Sequence, residues 1–108
     1  MSTFMGSVKI GPVWYEVHEV PGLRNPVNDQ QLNGRISENE AVIQLEAAMC
    51  EQAKRVTLWH EILHAIGMHS GHEFSEEQLE ALAYGIMDAL QANVSLSVAY
   101  QVSTNKPD

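Results

Sequence analysis

His60-Glu61-Ile62-Leu63-His64 lies inside the apolar run Val56 to Ile66, and its reading decides the fold of this chain. Each helical residue turns by ~100°, so positions four apart share a face. With Val56 at zero, Trp59, Ile62, Leu63 and Ile66 fall on one broad arc. His60 and His64 fall together on the next strip, and Glu61 lies just beyond. The pattern predicts a mostly buried helix with one polar strip. Two imidazoles on one strip can grip one metal ion, and a carboxylate beside them can handle a proton.

The composition narrows the alternatives. The chain has 108 residues, 44% of them apolar, which suits one domain with a modest core. The net charge is −8 with six basic residues, which argues against a phosphate-backbone partner and so against nucleic acid. A single cysteine, Cys50, excludes an internal disulfide and favours a reducing, cytoplasmic setting. Met1 to Lys9 lacks the layout of a secretion signal. No apolar run approaches the ~20 residues of a membrane helix, so no membrane partner is expected.

Outward from the helix, Val13 to Val20 is rich in β-branched and aromatic residues and reads as a strand between Gly11-Pro12 and Pro21-Gly22. Residues 21–31 read as a loop with Asn25-Pro26 and Asn28-Asp29 turn signals. Leu32 to Ile36 and Ala41 to Leu45 flank the polar Ser37 to Glu40 as a hairpin, with Asn33-Gly34 a competing turn. The helix should run from about Met49 to about Met68, with Gly67 and Gly71 as stops. A second helix starts at a capping box, Ser75 with Gln78, and Phe74 with Leu79 can staple it. Its apolar face is Leu79, Leu82, Ala83, Ile86, Met87 and Leu90, and it should end near Asn93. Residues 94–108 are expected as an extended strand or tail after one domain at 1–93. The fold class is therefore α+β, a small antiparallel sheet or hairpin packed on two helices.

Catalytic zinc takes three protein ligands and keeps a fourth position open, so the two histidines need a partner. His69, His72, Glu73, Glu76, Glu77 and Glu80 are the candidates. The HExxHxxGxxH pattern has its glycine at Gly67, but Ser70 stands at the third histidine, and His69 comes one residue early. A carboxylate from the second helix fits better. In an antiparallel helix pair His64 and Glu76 meet at similar height. Glu76 is the chosen ligand, Glu77 and Glu80 being the alternatives. Glu80 is assigned to hold a histidine's other N–H.

Trp59 to Ile66, followed by Ser75-Glu-Glu-Gln-Leu-Glu-Ala-Leu-Ala83, resembles the small phage-type gluzincin metallopeptidases, distant relatives of the ImmA/IrrE-like proteins. The resemblance spans roughly residues 8–92. It implies a minimal zincin-like fold, one Zn²⁺ on His60, His64 and Glu76, and a polar residue four positions after the ligand glutamate, as Glu80 is. It also implies a strand bordering the substrate cleft, for which Ala41 to Leu45 is the candidate edge. The host cytoplasm would be bacterial if the chain is phage-encoded.

The expected activity is hydrolysis of a peptide or protein substrate, with Glu61 as general base. His69, His72 and Tyr84 are open candidates for assisting the oxyanion. The alternatives are a non-catalytic zinc-binding regulator or phage accessory protein, and a module that binds peptides by strand addition alone.

Overall fold

The computed structural model describes residues 1–92 of the chain. The β-branched stretch forms a strand with the expected bounds, β2 (Val13–Val20). It is preceded by β1 (Thr3–Ile10), to which it pairs as an antiparallel hairpin. The tight connection is made at Gly11, whose φ of 56° suits glycine. Beyond the 21–33 connection come β3 (Gly34–Ser37) and β4 (Val42–Glu46), a second antiparallel hairpin turning at Ser37 to Ala41. Asn33-Gly34 is therefore the entry to β3 and not a turn.

The sheet order is β1-β2-β4-β3, and β4 runs parallel to β2. The expectation of an antiparallel sheet is corrected to a mixed one. The 21–33 connection carries the chain past an open slot, and the second hairpin folds back so that β4 fills it. Ile43 and Leu45 of β4 are buried, as suits a strand paired on both sides. Of the expected edge stretch Ala41 to Leu45, Val42 to Leu45 thus lie in an interior strand, and the edges are β1 and β3.

Glu46 locks this arrangement. Its carboxylate accepts backbone N–H bonds from Leu23 at 2.8 Å, Ala48 at 3.0 Å and Gly22 at 3.3 Å. The side chain is buried, and these donors hold its pKa below the ordinary carboxylate value.

α1 (Glu51–Ser70) crosses the sheet, and α2 (Glu76–Ala92) packs on α1 and touches no strand among the described residues. The arc expected on α1 is in fact two faces. Leu58, Ile62 and Ala65 meet Tyr15, Val17 and Ile43 of the sheet. Val56, Trp59 and Leu63 meet Leu79 and Ala83 of α2. Ile66 projects between those faces and is 41% exposed. Leu82 and Leu90 of the expected α2 face are also substantially exposed, because among the described residues α2 packs only on α1.

Gly67 does not stop α1. A Cβ there would lie 2.5 Å from the carbonyl oxygen of His72, so glycine lets the chain turn back tightly. Gly71 is the stop, left-handed at φ 75°, with its N–H on the carbonyl of Gly67. The capping box forms as expected. Ser75 Oγ accepts the Gln78 N–H at 3.1 Å, and Gln78 Oε1 accepts the Ser75 N–H at 2.9 Å. No helix among the described residues is long and apolar enough to cross a membrane. The alternating stretch 94–102 and the rest of the expected tail lie outside the described residues.

Candidate metal centre

His60 and His64 occupy successive turns of α1, with ring centroids 5.4 Å apart. Glu76 opens α2, one residue after the capping Ser75. The two helices form the antiparallel pair the spacing requires, and Glu76 reaches both histidines. Its Oε2 lies 3.2 Å from His60 Nε2, and its Oε1 lies 3.4 Å from His64 Nε2. The three donor atoms fall within 4.8 Å of one another. Neighbouring ligands of a tetrahedral ion with bonds near 2.05 Å are about 3.3 Å apart. Each Glu76 oxygen lies at about that spacing from one of the two histidine nitrogens, and two nitrogens with one carboxylate oxygen are donors that suit such an ion. The residues present fit a single metal ion.

Glu61 stands apart from this trio. Its side chain is buried, at 7% exposure, beneath the β3 edge. A Cβ on Gly34 would lie 2.5 Å from Thr57 Cγ2 and 2.9 Å from Glu61 Oε2. Gly34 is thus what lets β3 close over α1 without displacing the carboxylate. Burial pushes the Glu61 carboxyl up to about 7, and the charge of Glu76 adds to the rise, while His64 opposes it. A cation seated on the trio, with His64 then a neutral ligand, would take over the lowering effect.

Two clefts flank the trio. The larger, of about 450 Å³, includes His60, Glu61, Gly34, Glu80 and Tyr84 in its lining. The smaller, of about 290 Å³, lies on the far side at His64, Glu73 and Phe74. The remaining sequence candidates sort themselves accordingly. His69 is held away from the trio by the buried Tyr15, whose hydroxyl lies 2.9 Å from His69 Nε2. His72 follows the Gly71 cap and joins no group of candidate ligands among the described residues. Glu77 is exposed and outside the trio. Glu80 makes no hydrogen bond to either histidine among the described residues and instead borders the larger cleft. Of the three oxyanion candidates, Tyr84 shares the cleft with Glu61.

Sequence reasoning missed Gly34 and Asn33 as parts of the site, reading them as a possible turn. A glycine within a strand pattern is the usual sign of close backbone approach, and that signal was present. Comparison with family models, curated proteins and solved structures gives no match.

Proposed function

We propose that this chain is a zinc-dependent peptidase of minimal gluzincin type. The observation that carries the reading is Glu61. It is a buried carboxylate beside three convergent ligands, is not one of them, and faces an open cleft. A purely structural site closes its fourth position and has no use for such a group. The non-catalytic regulator therefore ranks second.

His60 Nε2, His64 Nε2 and one oxygen of Glu76 would hold the ion. When bound, zinc supplies a Lewis acid that polarises a carbonyl and acidifies water toward a pKa of ~7. Glu61 takes the proton of the attacking water on a carboxylate oxygen and delivers it to the departing amine. The close approach of the Gly34 backbone covers the Glu61 side chain. β3 is the sheet edge at the cleft, and its free backbone groups can pair with an extended substrate.

The test is Glu61→Gln against the parent, both loaded with zinc and assayed on a mixed peptide substrate. The expected result is full zinc content with hydrolysis reduced by about 10² or more, as for loss of a general base. Equal hydrolysis by the two proteins would sink the proposed role. Full zinc with no hydrolysis by the parent would favour the regulator.

A further inference from the structure

The larger cleft has an electrostatic character of its own. Glu76, Glu80 and Tyr84 stand four residues apart on α2 and so form one row. The row leads from the metal ligand into the cleft, at about 6 Å of helix rise per step. Glu80 and Tyr84 make its far wall. Met49, Ala53 and Val56 give it an apolar side. Among the described residues no lysine or arginine lines it, and none pairs with Glu80. Glu61 is more than nine-tenths buried, faces the same space and makes no hydrogen bond among the described residues. Glu80 brings a carboxylate to the cleft wall one helical step away from the metal ligand.

We infer that this cleft is a side-chain subsite selecting lysine or arginine next to the scissile bond, with Glu80 as the specificity-determining residue. The chemistry matches on three sides. The aliphatic stem of a lysine or arginine lies against Met49, Ala53 and Val56. Its charged head meets the Glu80 carboxylate. Tyr84 offers a ring face to the same cation, and arginine is the better fit to that ring. The distance also matches. Glu80 is one helical step from the metal ligand, within reach of a long side chain on a substrate residue flanking the cleaved bond. An acidic substrate side chain would meet like charge there.

This inference rests on the peptidase reading for its meaning, but two experiments separate the fates of the two. In the first, zinc-loaded parent protein digests a complex peptide mixture, and the cleavage sites are read by mass spectrometry. Lysine and arginine should exceed aspartate and glutamate at one subsite by roughly tenfold. Glu80→Lys should abolish or invert that preference with zinc content unchanged. In the second, N-acetyl-lysine methylamide and N-acetyl-norleucine methylamide are titrated into the zinc-loaded parent and followed by NMR. The lysine compound should bind roughly two- to fivefold tighter, and Glu80→Gln should erase the difference. Selective lysine binding without cleavage of any peptide would keep the subsite and overturn the peptidase. Cleavage with no basic preference, or equal binding of the two amides, would overturn the subsite.

Discussion

Glu76 carries the whole convergence of α1 and α2 on three side chains, and its exposure makes it easy to replace without harming the fold. Its side chain is 75% exposed, against 23% for His60. Glu76→Ala should therefore leave the melting temperature of the metal-free protein nearly unchanged. Zinc affinity should fall by more than the ~10–100-fold typical of losing an outer-shell partner. Competition with a chelator of known affinity measures this, and an unchanged affinity would move the third ligand elsewhere. Gly34 makes the opposite kind of prediction. Gly34→Ala places a methyl group against Thr57 and Glu61, so hydrolysis should fall with zinc still bound. Overpacking should also cost about 1–3 kcal/mol, readable by urea unfolding. His60, Glu61 and His64 were legible from spacing alone, because helical periodicity fixes which side chains share a strip. The burial of Glu61 was not, since it depends on a strand more than twenty residues upstream.

At the scale of elements, α2 is a lever that holds Glu76 in place, and Leu79 and Ala83 are its fulcrum. Both are fully buried against α1, while among the described residues no strand packs on the helix. Leu79→Ala should cost about 2–5 kcal/mol if the helices unfold together. It should also weaken zinc binding while leaving all three ligands present. A variant that lost stability with zinc affinity intact would show that α2 is not what positions Glu76. The start of α2 was readable because Ser75 and Gln78 cap each other across one turn. The bounds of β2 were readable from its β-branched run between Pro-containing turns. β1 was not, because Thr3, Phe4 and Met5 are all exposed and give no alternation, and the strand bulges between Phe4 and Gly6. Gly67 misled for a physical reason, since the same missing side chain that ends a helix also admits a close neighbour within one.

At the scale of the whole molecule, the parallel β2–β4 pair brings the pieces of the site together. It cannot be read locally, because the strands are joined only through the 21–33 connection and β3. Glu46 secures that connection, and acid should release it. Its folded pKa lies below the ordinary value of 4.5, so its contribution is complete above that value. The contribution fades as the pH falls through the folded pKa. Glu46→Gln should thus lower the urea midpoint at pH 7, and the gap from the parent should narrow below about pH 4.5. A gap that stayed constant down to pH 3 would remove the carboxylate from the account. Among the described residues the sheet and two helices bring together His60, His64 and Glu76, a group that could hold a metal ion, between α1 and the first turn of α2. The most direct test is the zinc X-ray absorption spectrum of the protein loaded with one equivalent. The account predicts nitrogen and oxygen neighbours at about 2.0–2.1 Å with the outer-shell signature of two imidazoles. It further predicts that Glu76→Ala changes the first shell. A protein that retains no zinc, or a spectrum that Glu76→Ala leaves untouched, would contradict it.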